Sequence, residues 1–451
     1  MELNALISKY NVPAPRYTSY PTVPFWDNER FEAEGWKERV ATMFRKSGEN
    51  GISIYIHLPF CESLCTYCGC NTRITKNHQV EEPYLNAVLK EWRMYESVLG
   101  QKPIHIAELH LGGGTPTFFN AENLKQLIEG ILAGNQVADN ATFSFEAHPA
   151  NTTEEHLQVL YDLGFRRLSL GIQDFDDKVQ FVINRKQSIE DVQRVMALAR
   201  KIGYNSINFD LIYGLPLQTL DTVRHTIEVS LALSPERISF YSYAHVPWLK
   251  PGQRRFTELD LPVGEDKLNL YKLGKQLIQQ AGYQDVGMDH YAKETDSLFI
   301  SSQNGDLHRN FMGYADRYTP LLIGLGVSSI SDSWTGFAQN VKTVEAYYEK
   351  LKRGELPVFK GHFLDEEDLR IRQYILDMMC RGRVLLEHGT ALSTRIKQRL
   401  TPLVADNLVC VEEDEVLMTE IGKSFLRNIC MAFDERMLQV KERENLFSQA
   451  I

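Results

Sequence analysis

The sequence predicts an α/β protein built on a partial TIM-like (β/α)6 barrel, with an N-terminal segment and a helical, winged-helix-like C-terminal domain. Two observations predict the barrel. Short β-rich runs alternate with helical patterns in units of roughly 30 residues, the size of a strand-and-helix pair. Polar residues or glycines collect where nearly every strand ends, as they do at the catalytic face of such barrels. The 451 residues exceed what one simple core usually holds, so a second domain is also expected.

Six strand candidates follow one another between residues 53 and 245. They are rich in β-branched and aromatic residues and apolar almost throughout, which is typical of strands covered by helices. In chain order they are SIYIHLP from Ser53, AELHLGG from Ala107, TFSFEAHP from Thr142, RRLSLGIQ from Arg166, SINFDLIYG from Ser206 and RISFYSYAH from Arg237.

The segments between these strands predict crossover helices, because apolar residues recur at i, i+3, i+4 and i+7 and several segments end at glycine. PYLNAVLKEWRMYESVL and DVQRVMALARKIG are examples. QDVGMDHYA and PLLIGLGVSSIS indicate that the sheet extends past six strands before a linker near residues 354–367. The expected domains are an N-terminal segment over the barrel mouth (1–50), a catalytic barrel with its extension (51–355) and a helical accessory domain (356–451).

Beyond the linker, two or three helical patterns and a short hairpin, NLVCVEEDEVLMTEIG, predict the winged-helix-like fold. Winged helices often bind DNA. This hairpin is acidic, however, at Glu412, Glu413, Asp414 and Glu415, and phosphates would repel it. We therefore expect a packing or lid module.

The composition is that of a soluble globular protein, with 43% hydrophobic and 24% charged residues. The formal net charge of -10 argues against binding to nucleic acid or a membrane surface, since both favour positive proteins. A cytoplasmic location is expected, because neither a signal peptide nor an apolar run of ~18 residues is visible. Four of the seven cysteines lie between Cys61 and Cys70, which suits a metal site and not a disulfide framework.

The cysteine cluster reads CESLCTYCGC and contains C-x3-C-x2-C, formed by Cys61, Cys65 and Cys68, directly after the first strand. Thiolates at these spacings can bind three irons of a cubane cluster and leave the fourth iron open. The alternative is a structural zinc site with Cys70 or His78 as fourth ligand, although no second CxxC pair completes a tetrahedral set. The role of Cys70 stays open.

A glycine run, LGGGTPT from Leu111, follows the second strand. Three glycines at a strand end let backbone groups approach a small polar ligand closely. The run lacks the lysine of a phosphate-binding Walker loop and the spacing of a dinucleotide fold, so alone it would equally serve as a tight turn. Its position beside the cysteine loop favours ligand binding.

Together, C-x3-C-x2-C after the first strand and GGGTP after the second resemble the radical S-adenosylmethionine superfamily. Over nearly the whole chain the sequence resembles one of its families, the oxygen-independent coproporphyrinogen III oxidases, also called coproporphyrinogen dehydrogenases. The segments that carry this resemblance are PRYTSYP at Pro15, YIHLPFC at Tyr55, CGCN, LSLGIQDF at Leu168, NFDLIYGLPLQT at Asn208, GMDHYA at Gly287, LHRNF at Leu307 and RNICMAFD at Arg427.

The resemblance implies a [4Fe-4S] cluster on Cys61, Cys65 and Cys68 and two molecules of S-adenosylmethionine. Cleavage of one would give methionine and a 5'-deoxyadenosyl radical, which takes hydrogen from a propionate β-carbon of coproporphyrinogen III. Loss of CO2 and one electron would leave a vinyl group, and two rounds would give protoporphyrinogen IX for haem synthesis. The family further implies an electron acceptor and an electron donor such as flavodoxin or ferredoxin. We expect a monomer.

Matching motifs assign cofactor contacts residue by residue, while no catalytic residue beyond the cluster and cofactor is assigned. Carboxylates accept hydrogen bonds from ammonium or ribose groups, and arginine pairs with a carboxylate. Taken singly, such residues more often serve as helix caps or surface charges, and the motif context reverses that preference. The first S-adenosylmethionine would contact Tyr55, Gly113, Glu146 and Ile330, and the second Tyr67, Gly114, Thr115, Gln173, Arg185, Asp210 and Ala244.

The substrate that the resemblance implies is a macrocycle with four carboxylates, which requires cations and aromatic surface. Arg16, Tyr17, His308 and Arg309 are the candidates. Tyr17 and His308 would equally serve as packing residues.

Two positions depart from the family pattern. Met312 stands where the family usually has the glutamine of FQGY, and a thioether cannot replace the donors and acceptor of an amide. Tyr67 stands where phenylalanine is common.

Two other functions are weighed: a haem-binding chaperone on the same scaffold, and a radical enzyme that methylates or opens a porphyrin or haem. CGCN and PRYTSYP favour the oxidase over the chaperone.

Overall fold

The computed structural model describes residues 3–100, 103–248, 250–438 and 447–449. Its centre is one sheet of twelve strands. Numbered in chain order, the strands are β1 Ile52–Leu58, β2 His105–Gly113, β3 Gln136–Ala147, β4 Phe165–Gln173, β5 Ser206–Tyr213, β6 Arg237–Ser242, β7 Gln284–Gly287, β8 His290–Ala292, β9 Leu322–Leu325, β10 Ile330–Asp332, β11 Gly336–Asn340 and β12 Val358–Phe363.

The strand order is β12-β11-β10-β9-β1-β2-β3-β4-β5-β6-β8-β7. Strands β1 to β6 are parallel to one another, and β9 joins β1 in the same direction. The outer strands on both sides are antiparallel. Because β1 and β6 pair with β9 and β8 and not with each other, the barrel stays open. The predicted partial (β/α)6 barrel and its extension past six strands are confirmed.

The crossover helices form where the apolar periodicity predicts them. Capping boxes start three of them, at Thr153, Ser188 and Thr219, whose side chains accept a hydrogen bond from the third helical residue. Gly100 ends the helix Glu81–Leu99 and Gly203 ends the helix that Ser188 starts, both in the left-handed conformation that favours glycine. The helices that follow β1 to β6 are Glu81–Leu99, Ala121–Leu132, Glu154–Asp162, Ile189–Ile202, Leu220–Leu233 and Glu265–Gln280.

The C-terminal region contains two longer helices, Glu366–Arg381 and Ala391–Ala405, and a small antiparallel sheet of Arg383–Leu385, Glu415–Met418 and Val409–Glu412. This is the predicted winged-helix-like arrangement. Further helices of the chain are Leu3–Tyr10, Ala33–Ser47, Asp177–Val182, Ser297–Asn304, Val344–Lys352, Leu426–Met431 and Glu435–Leu438, and two short strand pairs join Phe60–Cys61 to Arg73–Ile74 and His308–Asn310 to Gly313–Ala315.

The linker predicted near residues 354–367 is wrong in its central part. Strand β12 lies there and pairs with β11 at the edge of the sheet. A Cβ on Gly361 would lie 2.2 Å from the ring of Phe31, so the segment is fitted against distant parts of the chain. Such long-range contacts leave no local pattern. The sheet therefore continues past the boundary expected at residue 355, and the division into three domains stays a prediction.

Two large hydrophobic cores, accompanied by two smaller clusters, support the described part of the chain. The larger lies between the main sheet and its crossover helices. The smaller joins Tyr17 and Tyr20 of the N-terminal segment to residues of the C-terminal domain. The Arg427 side chain ties these two parts further, since its Nε donates to the Pro15 carbonyl at 3.1 Å. Among the helices of the described residues, none is both long and apolar enough to span a membrane.

Candidate active site

The cysteine loop leaves the carboxyl end of β1 and is held by the segment that follows β4. Thr66 donates from its backbone nitrogen to the Ile183 carbonyl at 2.9 Å and from its hydroxyl to the Val182 carbonyl at 3.1 Å. Asn184 Nδ2 donates to the Leu64 carbonyl at 2.7 Å. The loop is thus held on both sides of Cys65, at Leu64 and at Thr66.

The glycine run after β2 packs directly on this loop. Gly114 donates from its backbone nitrogen to the Leu58 carbonyl at 2.8 Å. A Cβ on Gly114 would lie 2.6 Å from the carbonyl carbon of Pro59, so only glycine permits this approach. The next residue, Thr115, brings its hydroxyl to 3.3 Å from Cys61 Sγ. The two motifs that the sequence analysis singled out are therefore parts of one site.

The thiols of Cys61, Cys65, Cys68 and Cys70 line one cavity. Burial raises the pKa of the Cys61 thiol to about 11, whereas a hydrogen bond from Cys70 lowers the pKa of Cys68 to about 6. Soft thiolates of this kind suit iron-sulfur clusters. Cys70 follows the C-x3-C-x2-C pattern and contacts Cys68, so it lies next to the cluster position.

A single zinc ion fits this region less well. In the described parts of the chain, no three His, Cys, Asp or Glu side chains are close enough together to bind one metal ion. His78, the candidate fourth ligand, stacks on Phe118 with ring centroids 4.4 Å apart, and its Nδ1 lies 2.6 Å from Glu81 Oε1. The spacing of the cysteine thiols suits a cluster, in which each thiolate binds a different iron, better than a zinc site, in which four ligands surround one ion.

The cavity has a volume of about 680 Å³ and extends from the cysteine loop into the barrel. Its size suits a bound cofactor, since ligand pockets are typically several hundred cubic ångströms. Most of the predicted cofactor residues lie in its wall: Tyr67, Gly113, Gly114, Thr115, Glu146, Gln173, Arg185 and Asp210.

Three predicted cofactor residues are not in the wall. Tyr55 lies just behind it, with its ring stacked on His110 at 5.9 Å. The Ala244 carbonyl accepts a hydrogen bond of 3.2 Å from Gln253 Nε2, the same nitrogen that donates to the Tyr67 carbonyl. Ile330 packs against an aromatic cluster beside β11. The assignment of these three residues to a cofactor stays a prediction.

Glu146 presents a charged carboxylate to the cavity. Its Oε2 accepts from the backbone nitrogen of Gly113 at 3.2 Å, and its Oε1 lies 3.5 Å from His110 Nε2. Burial opposes ionisation, but the hydrogen bond and charge of His110 hold the pKa of Glu146 below its usual value. An ionised carboxylate at this position can bind an ammonium group.

Arg185 is buried, which excludes the alternative of a solvated surface charge. Its Nη1 donates to the Tyr67 hydroxyl at 3.2 Å and lies 3.7 Å from Cys65 Sγ, and its Nε donates to Gln187 Oε1 at 3.1 Å. A buried guanidinium beside the thiols attracts anions, carboxylates included.

Asp210 lies deeper in the barrel, on β5. Its Oδ2 accepts from the Ser169 hydroxyl at 2.8 Å and its Oδ1 from Asn208 Nδ2 at 2.9 Å. Burial raises its pKa to about 6. Its surroundings do not fully compensate its charge, and a bound cation or hydroxyl would stabilise it.

The sequence analysis missed two histidines of the site. His110 supports Glu146, and the ring of His57 lies below the glycine run, where a Cβ on Gly113 would approach it to 2.6 Å. His57 Nε2 is 2.8 Å from the Asn71 carbonyl. Strand alternation could have found them, since it places His57 on the face of Tyr55 and His110 on the face of Gly112.

The residues suggested for the substrate separate into two groups. Arg16 lies at the barrel rim, where its Nη1 pairs with Asp289 at 2.9 Å. Tyr17 and His308 are buried and support the packing alternative, and Arg309 is buried as well. Met312, the departure from the family pattern, lines the cavity.

Comparison with known proteins identifies the family. The model of the radical SAM superfamily matches residues 55–229. Oxygen-independent coproporphyrinogen III oxidases of Salmonella typhimurium and Synechocystis are 36% and 37% identical over 455 and 459 residues; these alignments cover 99% of this chain and 98% and 97% of the relatives. The chain belongs to the oxygen-independent coproporphyrinogen III oxidase family. The family resemblance predicted from the motifs is confirmed.

A solved member of this oxidase family has the same fold. The structure described as coproporphyrinogen III oxidase (HemN) from Escherichia coli, a radical SAM enzyme, superposes with a TM-score of 0.88 at 34% identity. The match covers 96% of this chain and 98% of that one. The protein is therefore a radical SAM oxidoreductase, a class that uses a [4Fe-4S] cluster and S-adenosylmethionine. The thiols, the glycine run and the Glu146 carboxylate fit these cofactors.

Proposed function

We propose that this protein oxidatively decarboxylates two propionate side chains of coproporphyrinogen III to vinyl groups and so forms protoporphyrinogen IX. The observation that carries the proposal is one cavity that brings together the cysteine loop, the glycine run and the charged residues Glu146, Arg185 and Asp210. The choice of substrate rests on family membership, and the cavity contains groups suited to binding S-adenosylmethionine.

The protein's own side chains bind and orient in this proposal. When bound, the cluster on Cys61, Cys65 and Cys68 and S-adenosylmethionine supply the carbon radical that takes hydrogen from the propionate. Glu146 would hold the ammonium group of one S-adenosylmethionine, and Arg185 the carboxylate of a second. These assignments rest on the chemistry of the side chains and on their place in the cavity wall.

Cations at the rim support a substrate with several carboxylates. At the end of β6, Arg16 Nη2 donates to the Ser242 carbonyl at 3.3 Å, and Lys267 Nζ donates to the next carbonyl, that of Tyr243, at 3.2 Å. Two cations are thus held side by side on the rim where the cysteine loop also lies. Asp289 pairs with Arg16, so these three side chains carry one net positive charge while Lys267 is protonated, which favours an anionic ligand in a protein with a net charge of -10.

The proposal extends to partners and location. The reaction requires an electron donor, for which we propose a protein of the flavodoxin or ferredoxin class, and a separate electron acceptor. We propose that the chain acts as a monomer in the cytoplasm. The seven free cysteines support a reducing compartment.

An anaerobic assay tests the function. The reconstituted protein receives dithionite, S-adenosylmethionine and coproporphyrinogen III, and products are measured by mass spectrometry. We expect loss of two CO2 per substrate, no turnover by Cys61→Ser, and normal turnover by Cys410→Ser, whose thiol lies on the distant hairpin. Cys70→Ser and Met312→Gln test the two positions left open by the sequence. Stable haem binding without decarboxylation, or a methylated or ring-opened product, would refute the proposal.

A further inference from the structure

We propose that the outer surface of the cysteine loop is a docking site for an acidic protein that delivers single electrons at low potential. The proposal rests on the proposed function, because only a cluster enzyme needs such a donor, and it specifies where that donor binds. We define the docking surface by Leu64, Phe181, Trp248, Lys250, Arg254 and Arg255.

The docking surface exposes large apolar side chains. Leu64 is 40% exposed, Trp248 48% and Phe181 73%. Leu64 lies between two of the cluster cysteines, and Phe181 lies in the helix Asp177–Val182, next to the carbonyl that holds Thr66. Exposed aromatic and aliphatic groups beside a reactive centre are typical of protein interaction sites.

Phe181 does not contribute to the packing of its own helix against the protein. Its helix has an inward side, on which Val179 is completely buried in a small core with Ile183 and Leu215. Phe181 points away from that core and contacts the guanidinium of Arg255, which lies 5.3 Å above its ring. An apolar ring in contact with a cation at the surface is suited to a partner that offers both apolar and acidic groups.

The cations of the docking surface stand out in an acidic protein. Lys250, Arg254 and Arg255 occur within six residues that contain no acid, whereas the chain has a net charge of -10. Lys250 Nζ donates to the Cys70 carbonyl at 3.0 Å, and Arg254 Nε donates to the Pro247 carbonyl at 3.1 Å. Their charges therefore stay available to a partner. Acids occur nearby in the sequence: Glu62 precedes Leu64 by two residues, Asp177 begins the helix of Phe181, and Glu258 and Asp260 follow Arg255.

The position of the surface identifies the kind of partner. Electron transfer slows steeply with distance, so a donor must approach the thiols of Cys61, Cys65 and Cys68 closely. Their inner side faces the cavity that holds cofactor and substrate. Leu64 lies at the border of this cavity, whereas Phe181, Lys250, Arg254 and Arg255 do not line it, so their side of the loop remains for the donor. Opposite charges would speed the encounter, and a small apolar centre suits a complex that forms and dissociates in every turnover.

Charge-reversal variants test the proposal, with purified flavodoxin as the donor and with dithionite, which needs no docking site. In Arg254→Glu/Arg255→Glu we expect the rate of cluster reduction by flavodoxin to fall at least about tenfold and to lose its dependence on salt. Phe181→Ser should raise the flavodoxin concentration needed for half-maximal reduction. Reduction by dithionite and iron content should match the wild type in both variants.

A matched control reverses two charges elsewhere. Arg45→Glu/Lys46→Glu lies in the last turn of Ala33–Ser47, which leads to the amino end of β1, opposite the cysteine loop. It should leave reduction by flavodoxin unchanged. Equal rates for the docking-surface variants and the wild type would overturn the proposal, as would an equal loss in the control. Because cluster reduction is read by absorbance without substrate, failure of the decarboxylation assay would count against the proposed function alone.

Discussion

At the scale of single residues, Lys267 has a charge that depends on pH in an accessible range. Burial, followed by repulsion from Arg16 and Arg427, lowers its pKa to about 8. Its Nζ is held at the rim by the Tyr243 carbonyl. Below pH 8 the side chain is a cation that can bind a substrate carboxylate, and above pH 8 it becomes neutral.

Replacement of Lys267 should therefore affect substrate binding more than chemistry. We expect Lys267→Met to raise KM for coproporphyrinogen III about tenfold, the loss of one charge-assisted hydrogen bond, with a smaller effect on kcat. In the wild type KM should rise as the pH passes from 7 to 9, and Lys267→Arg should keep KM low across that range because it stays charged. Steady-state kinetics at several pH values measure this. The same rise of KM in Lys267→Arg would contradict the assignment.

At the scale of secondary structure, one buried carboxylate fastens the helix Glu81–Leu99 to the far side of the sheet. Glu91 Oε2 accepts from the Gly326 nitrogen at 2.8 Å and from the Tyr347 hydroxyl at 2.5 Å, and its Oε1 accepts from Asn340 Nδ2 at 2.7 Å. Burial raises the pKa of Glu91 to about 7 in spite of these donors. The carboxyl group thus titrates near neutrality inside the protein.

This pKa predicts how stability depends on pH. Because the folded-state pKa lies above the ordinary value of 4.5, the contribution of Glu91 is complete below pH 4.5 and is lost as the pH rises through 7. The side chain of Glu91→Gln stays neutral at every pH. Between pH 5 and 8 the free energy of unfolding of this variant should therefore rise relative to that of the wild type by up to about 3 kcal/mol, and its melting temperature should rise with it. Thermal scans of both proteins measure the difference. A difference that is constant with pH would refute the predicted titration.

The elements that sequence could predict are those with local signals. Alternation and capping residues such as Thr153 and Ser188 mark the barrel strands and helices. The cysteine and glycine motifs lie at consecutive strand ends, so their meeting follows from parallel topology. The pairing of strand β12 and the hydrogen bonds of Glu91 join residues far apart in the chain, so no pattern in the neighbouring sequence predicts these contacts. Lys267 was missed for the same reason, since its place at the rim depends on how the helix Glu265–Gln280, which follows β6, packs on the barrel.

At the scale of the whole molecule, the first and last parts of the chain stabilise each other. Arg427 donates to the Pro15 carbonyl at 3.1 Å and also to that of Ala14, and the Tyr17 hydroxyl donates to Asp434 Oδ2 at 3.0 Å. The sequence analysis placed the N-terminal segment over the barrel mouth but did not foresee the core that it shares with the C-terminal domain. Only the folded chain brings these residues together.

Loosening this contact should free the N-terminal segment and leave the barrel intact. We expect Arg427→Met to accelerate tryptic cleavage after Arg16 severalfold without lowering the iron content of the reconstituted protein. Arg399→Met is the matched control, because its bonds to the Ala432 carbonyl and Glu435 stay within the C-terminal domain. Limited proteolysis with mass spectrometry compares them. Equal cleavage of wild type and Arg427→Met would show that the contact does not hold the segment.

The anchoring of the cysteine loop bears on what happens to the protein when its iron-sulfur cluster is lost. Several contacts that hold the loop, those of Thr66, Asn184 and Gly114, join nitrogen and oxygen atoms and do not depend on a cysteine sulfur. These contacts should hold the loop in shape when the cluster is absent. We therefore expect the apoprotein, once its thiols are reduced, to take up a new cluster from iron and sulfide without unfolding.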